Sequence, residues 1–392
     1  MKRGEDMIYV LGAHLILVLL DILLIKKHKK LFFILATVLM SSLAYFIVVR
    51  EEADLSRYIN MMEYTRIMGF EWGVDNYGGS NPLAFLFFYG MSLFNNDALV
   101  PAVAAAVTYG CSFAVLYKSA KRFNSSVADI NIALIFFMLN MNYCYILDVI
   151  RMYMAFAIMA YFLYMDIVEK KHRWLCFTVY ILLCYFHYAM MVFVLLRVIL
   201  VFTRKFKGIS SAIVTVMVPM IILIAYKFVE SFSGGSSLLG LANDKLLGYQ
   251  DYETFGIWQF AASMIRSALF IFLCLIGVWI CSEWKKSELR KCDIEENCNK
   301  SIVPIKRNND FIIYSLYVTF TIFILISNYQ FVLRTPYFVQ IFMSFVLLLI
   351  LMKLKQYNEQ YYTALSVIIV IESLGHFAYL LLYVYRNMSF VF

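Results

Sequence analysis

Charge is what this sequence has least of. Only 15% of its 392 residues are Asp, Glu, Lys or Arg, against about 25% in an ordinary soluble domain. That shortage excludes a chain made mostly of water-soluble domains. Recognisable catalytic motifs are missing as well. There is no Gly-rich phosphate loop, no Cys/His zinc box and no GxSxG elbow, so ATP-driven and serine-hydrolase chemistry have no motif to rest on. The cysteines follow no framework: Cys111, Cys144, Cys176, Cys184, Cys274 and Cys281 fall in apolar stretches, and Cys292 and Cys298 in the most basic one. None of them has metal-ligand spacing or sits as a pair in an outer loop, which argues against a structural zinc or a disulfide scaffold. No internal repeat of useful length is visible, so the inverted-repeat plan of many secondary transporters finds no support.

What is present is apolar. Hydrophobic residues make up 63% of the chain and the mean hydropathy is +0.75. The apolar residues come in long runs, and a bilayer-spanning helix needs about 20 such residues. The runs are Ile8–Ile25, Leu31–Val49, Ala98–Tyr117, Val127–Ile146, Val149–Val168, Trp174–Phe186, Tyr188–Phe202, Ile209–Phe228, Ile257–Cys281, Phe311–Ser327, Pro336–Met352 and Tyr361–Tyr383. The expectation is an all-α, polytopic membrane protein of about 12 transmembrane helices, forming one transmembrane domain over residues 1–392. The first run is too long for a cleaved signal peptide, and no small-residue cleavage site follows it. The 35 Phe and 29 Tyr provide material for aromatic belts at the two interfaces.

The net charge of +8 does not point to nucleic acid, because the basic residues lie in short segments between apolar runs. Those segments are Lys26–Lys30, Lys118–Arg122, Lys170–Arg173, Arg204–Lys207, Lys285–Arg307 and Lys353–Lys355. They fall on one side only if the short run Leu83–Phe94 does not cross. It is therefore expected to lie on the outer surface, with the basic loops in the cytoplasm and both termini outside. Three outer loops result, 50–82, 229–256 and 328–335, together with one large cytosolic loop, 282–310, which reads as a linker.

Ionisable residues at helix mouths or within the bilayer are the informative ones, since each costs roughly 2.5–3.5 kcal/mol at the membrane centre. Arg151 opens a helix descending from the outer face, and Arg334 sits two residues before Pro336, which suits a first helical turn. Guanidiniums beside helix N-termini favour a phosphate-sized anion. The alternative is that Arg151 pairs with Asp148 and both arginines reach lipid headgroups. His187 falls between two unusually short runs, which suggests a turn sunk below the outer surface. It is suited to moving a proton there, or to a plain interfacial hydrogen bond. Arg197 and Arg266 lie nine residues into their helices and need a partner or a wet cavity. Glu372 and His376, spaced i, i+4, read as a structural pair, while His14 and Asp21 read as packing and mouth residues.

The stretch VIRMYMAFAIMAYFLYMDIVEKKHRWLCFTVYILLCYFHYAMMVFVL, Val149–Leu195, resembles the EpsG/Wzy-like polysaccharide polymerases. The likeness rests on Arg151 at a helix start, the basic turn Lys170 to Arg173, and Phe186-His187-Tyr188 at the next outer turn. Asp54 followed four residues later by Tyr58, and the late Arg334 before an aromatic-rich helix, also match. The sequence departs from the family pattern at one point: a Pro-Gly-Phe-like start after the outer loop is replaced here by Ser80-Asn81-Pro82-Leu83.

The resemblance implies a membrane glycosyltransferase of the GT-C type, in a bacterial cytoplasmic membrane. It would join polyprenyl pyrophosphate-linked oligosaccharides into a surface polysaccharide at the outer face. His187 and Asp54 are then candidate catalytic bases, and Arg151, Arg334 and Arg266 candidate pyrophosphate ligands. The expected partners are the lipid-linked oligosaccharide, membrane lipids and other polysaccharide-assembly proteins, with no nucleic acid, metal or soluble cofactor. Two other readings compete. A flippase for lipid-linked oligosaccharide should carry its charges down a central path, whereas these crowd one face. A sugar acyltransferase should show a cytosolic acyl-donor site, and none is evident.

Overall fold

In the computed structural model, residues 7–48, 54–78, 81–203, 257–292, 298–324 and 329–384 are described. About 90% of them are helical and none is in a strand. The chain divides into two compact units, Met1–Met191 with Leu351–Phe392, and Val192–Ile350. Among the described residues, six helices are long and apolar enough to cross a membrane: Ile8–Ile25, Leu99–Arg122, Ile150–Glu169, Ser263–Glu288, Pro336–Tyr357 and Glu359–Leu382. The multi-pass membrane character read from composition thus has a helical counterpart.

The first unit begins with α1 (Met7–Leu24) and α2 (Lys29–Tyr45). Helix α2 runs antiparallel to α6 (Leu99–Arg122). Ser41 Oγ donates to Ala102 O at 2.8 Å, the Phe33 ring lies 5.5 Å from Phe113, and Lys29 Nζ donates to Ser125 O at 3.4 Å. Small side chains on α6 permit the close approach: Ala104, Ala105 and Thr108 are fully buried, and a Cβ on Gly110 would lie 3.6 Å from Thr37. At the end where α2 stops, Asn96 Nδ2 donates to Tyr45 Oη at 2.9 Å. The chain between residues 46 and 98 therefore leaves and returns at one end of this hairpin. That segment holds α3 (Asp54–Met68), α4 (Phe70–Gly73), a π-helical turn (Val74–Gly78) and α5 (Pro82–Ser92). The run Leu83–Phe94 contains most of the 11-residue helix α5, within this same-end excursion. The 50–82 segment, read as a loop, is mostly helix, because Leu55, Met61, Met62 and Thr65 give α3 one buried stripe.

The run Val127–Ile146 is not one helix. It breaks at Met141–Asn142 into α7 (Val127–Asn140) and α8 (Tyr143–Asp148). Met141 takes an extended conformation, and the Asn142 side chain accepts from Tyr145 N–H to cap the new start. Helix α7 begins with a capping box between Ser126 and Asp129. Next come α9 (Ile150–Leu163), whose last turns are π-helical (Tyr164–Glu169), then α10 (Arg173–Phe186) and α11 (Met190–Thr203). The last two have 14 residues each, matching the two short runs.

The second unit contains most of α11, α12 (Ile257–Cys292), α13 (Cys298–Ile324) and the first part of α14 (Tyr329–Tyr357). Tyr314 Oη donates to Phe193 O at 2.9 Å, and the Phe338 ring lies 4.4 Å from Phe193 and 4.6 Å from Phe342. A Cβ on Gly277 would come within 3.1 Å of Ile312 and 3.4 Å of Val346, so α12, α13 and α14 pack closely there. The segment 282–310, expected to be a linker, is largely helical: α12 continues to Cys292 and α13 starts at Cys298. Ile305, Asn308, Asp310 and Phe311 are buried, which supplies the packing that the charged composition concealed. Likewise 328–335 is helical from Tyr329 onward. The run Ile209–Phe228 and the segment 229–256 lie outside the described residues.

The last helix, α15 (Glu359–Tyr379), belongs to the first unit and runs parallel to α7. Tyr362 Oη donates to Asp129 Oδ1 at 2.9 Å, and one end further along Asn140 Nδ2 donates to Ser373 Oγ at 3.0 Å. The helix ends that the charge pattern grouped together meet in this unit: Lys29 reaches Ser125, and Lys118 Nζ pairs with Glu169 at 3.2 Å.

Candidate functional site

The site grows from the excursion between α2 and α6. Tyr58 sits one turn into α3, half-buried, on the side of the helix that packs inward with Leu55 and Met62. Its ring stacks on Phe88 of α5, with centroids 4.4 Å apart and planes 13° apart. Phe88 is buried, so the phenol is braced from behind.

Arg151 approaches Tyr58 from α9. The short α8 ends at Asp148, Val149 leaves the helical conformation, and α9 restarts at Ile150. Hydrogen bonding within α9 begins with Met152 and Tyr153, both donating to Val149 O. Arg151 is therefore the second residue of a helix N-terminus, as its sequence position predicts. Its Nε donates to Tyr58 Oη at 2.6 Å, and its guanidinium carbon lies 4.9 Å from the Tyr58 ring centroid. One tyrosine thus orients the cation through both hydroxyl and ring face. The neighbouring Asp148 carboxylate accepts from Cys144 Sγ at 3.5 Å.

His187 caps the C-terminus of α10 in an extended conformation, its N–H donating to Leu183 O at 2.8 Å. Its carbonyl accepts from Met190 N–H at 3.0 Å, so the turn into α11 is tight. The preceding Phe186 packs edge-on against Phe87 of α5 at 6.0 Å. Helix α5 consequently carries two adjacent rings, one behind Tyr58 and one against the residue before His187. Through it the structure brings Tyr58, Arg151 and the His187 turn into one contiguous packing group within the first unit.

Asp54 is the first residue of α3 and pairs with Arg57 at 3.4 Å; Arg57 is 71% exposed. This is a surface ion pair of small energetic weight, and it leaves the carboxylate open to solvent. Arg66 clamps α3 to the loop before α6. It contacts Asp97 at 2.8 and 3.1 Å and Asn95 at 2.9 Å. Nothing local in the sequence signals that clamp, because its partners are 29 and 31 residues away.

The other two candidates belong to the second unit. Arg266 is buried on α12, with its guanidinium carbon 5.1 Å from the Tyr337 ring. Arg334 lies on α14, five residues after Tyr329, the first described residue of that helix. In the first unit, Glu372 accepts from Asn140 Nδ2 at 3.1 Å, which ties this intrahelical polar residue to α7. His14 Nδ1 bonds the Val10 carbonyl at 2.8 Å and its ring packs on Phe377, the packing role expected for it. Among the described residues no group of three or more His, Cys, Asp or Glu side chains is arranged to hold a metal ion.

Chemically, the group around Tyr58 offers an oriented guanidinium at a helix N-terminus, a part-exposed carboxylate at the start of α3, and a histidine at a neighbouring turn. That combination suits an anionic group undergoing proton-coupled transfer. No protein-family model, no curated protein and no solved structure matches this chain.

Proposed function

We propose that this chain is a polysaccharide polymerase of the EpsG/Wzy-like kind, a membrane glycosyltransferase with about twelve spans and a GT-C-like plan. It would act at the outer face of a bacterial cytoplasmic membrane on polyprenyl pyrophosphate-linked oligosaccharides. The observation that carries the reading is the contact between Arg151 and Tyr58. These residues belong to separate parts of the sequence resemblance, 93 positions apart, and they meet at a helix N-terminus beside an aromatic-backed histidine turn.

In this mechanism an acceptor sugar hydroxyl attacks the anomeric carbon of the growing glycan. The bond from that carbon to the pyrophosphate oxygen breaks, and its electron pair leaves with the polyprenyl pyrophosphate. Arg151, aimed by Tyr58, stabilises the developing negative charge. His187 takes the hydroxyl proton, with Asp54 as the other candidate base. The scheme uses no metal or soluble cofactor.

Deleting the gene in the producing cell tests the proposal. The expected result is a surface glycan reduced to single repeat units. Complete loss of surface glycan would favour a flippase instead, and full-length glycan lacking an ester group would favour an acyltransferase.

A further inference from the structure

We propose that three aromatic rings at the end of the α3–α5 excursion form a platform that holds sugar residues of the growing glycan, away from the point of bond formation. The proposal rests on the polymerase reading and adds a binding subsite to it. Tyr64 of α3, Trp72 of α4 and Tyr77 of the π-helical turn pack in series, with centroids 6.0 and 5.8 Å apart and planes inclined at 44° and 66°. Tyr64 is 54% exposed and Tyr77 39% exposed, so their rings present open faces.

The platform is built rather than incidental. Phe70, two residues before Trp72, packs on Phe85 and Tyr89 of α5 at 5.6 and 4.8 Å. Gly73 lets the segment lie directly on this support, since a Cβ there would meet the Phe85 ring at 2.8 Å and Thr65 at 2.9 Å. The turn that carries Tyr77 is π-helical, a conformation found often at functional sites. Asn76 Nδ2 donates to Trp72 O at 2.8 Å and locks the turn to α4.

Polar residues beside the rings identify the ligand class. Glu71 and Asp75 are exposed next to Trp72 and Tyr77, with no ion pair among the described residues. Seating these rings in lipid would draw both carboxylates toward a medium that penalises charge. A sugar satisfies both features: its C–H face lies against an aromatic ring, and its hydroxyls donate to carboxylates at the edge. Tyr64 lies six residues along α3 from Tyr58, about 9 Å of helix rise. The two side chains leave α3 about 120° apart, so a glycan of a few sugars touches the platform by passing part-way round α3 while its end lies at Arg151. Binding a remote part of the substrate in this way retains the chain between additions, so the platform governs polymer length more than the rate of the first coupling.

The test uses the full chain in lipid nanodiscs with Trp72 kept and the other tryptophans replaced by Phe. Soluble linear hexose and N-acetylhexosamine oligosaccharides are the probes. A saturable change in Trp72 fluorescence is expected, weakened about tenfold or more by Tyr64→Ala or Tyr77→Ala, with little quenching by brominated acyl chains. In ladder assays Trp72→Ala is expected to give shorter products. Absence of saturable binding, or strong quenching by brominated lipid, would overturn the platform. So would ladders of normal length from Trp72→Ala, although these would leave the polymerase reading intact. Saturable oligosaccharide binding by a protein that forms no ladder would keep the glycan site and remove the polymerase reading.

Discussion

Tyr58 holds Arg151 by its hydroxyl and by its ring, and the two contacts can be separated by substitution. Tyr58→Phe removes the 2.6 Å hydrogen bond and keeps both the cation–π contact and the stack on Phe88. A hydrogen bond to a charged group contributes roughly 1.5–3 kcal/mol. If it orients Arg151 for the transition state, ladder formation should fall about ten- to hundredfold at unchanged protein level. Wild-type rates from Tyr58→Phe would reduce the pair to a packing contact. Arg151→Lys and Arg334→Lys keep charge but lose the planar fork, and both are expected to reduce polymer strongly; normal-length polymer from both would make them headgroup anchors. His187→Gln retains a polar side chain that takes no proton, so turnover should drop by about 10²–10⁴-fold while lipid-linked substrate still binds. Near-normal turnover would shift the base to Asp54. Arg151 and His187 stood out in the sequence because polar residues are costly in apolar runs. Tyr58 was legible only as half of a spacing, since a tyrosine at an interface is ordinary.

Elements depend on breaks and close approaches that hydropathy does not encode. Asn142 divides an apolar run into α7 and α8 by capping the second helix, and that division aims α8 and α9 so that Arg151 faces α3. Gly73 has a similar role in the excursion. Gly73→Ala places a methyl group 2.8–2.9 Å from Phe85 and Thr65, one of them a buried ring held on both sides. Overpacking of this kind costs about 1–3 kcal/mol, so the thermal midpoint in detergent should fall. Gly90→Ala, on the same excursion with open space around it, serves as a control expected to change little. Equal midpoints for the two variants would show that α4 can lift away from α5 at no cost. The segment 282–310 is the contrasting failure of local reading. Its Lys, Glu and Asn hide the few buried positions that make it helical.

At the scale of the molecule, the side assignment of every later loop depends on the excursion between α2 and α6 returning to its starting end. The Asn96–Tyr45 and Ser41–Ala102 bonds place that return within the first unit. In a cysteine-free background, single cysteines at Asn60, Gly234 and Asn328 are expected to react from outside with a membrane-impermeant reagent. Those at His28, Lys171 and Glu295 should be protected until the membrane is opened. External labelling of Glu295→Cys in intact cells would overturn the assignment for the second half of the chain. Labelling of His28→Cys would overturn it for the first.

The sequence by itself determined the medium this chain is made for, because burial in lipid depends on summed apolar length and each run carries that sum locally. The charge placement, loop by loop, is the basis on which the loops are grouped for the labelling experiment. It located Arg151 and His187 as residues out of place. Only the tertiary structure decided that Tyr58, Arg151 and the His187 turn share the support of α5, or that Tyr64, Trp72 and Tyr77 line up beyond it. Those contacts join residues far apart in the chain, or depend on one glycine's missing Cβ and one asparagine's cap. Neither hydropathy nor spacing carries information on them, because they follow from how helices pack once the apolar runs have formed.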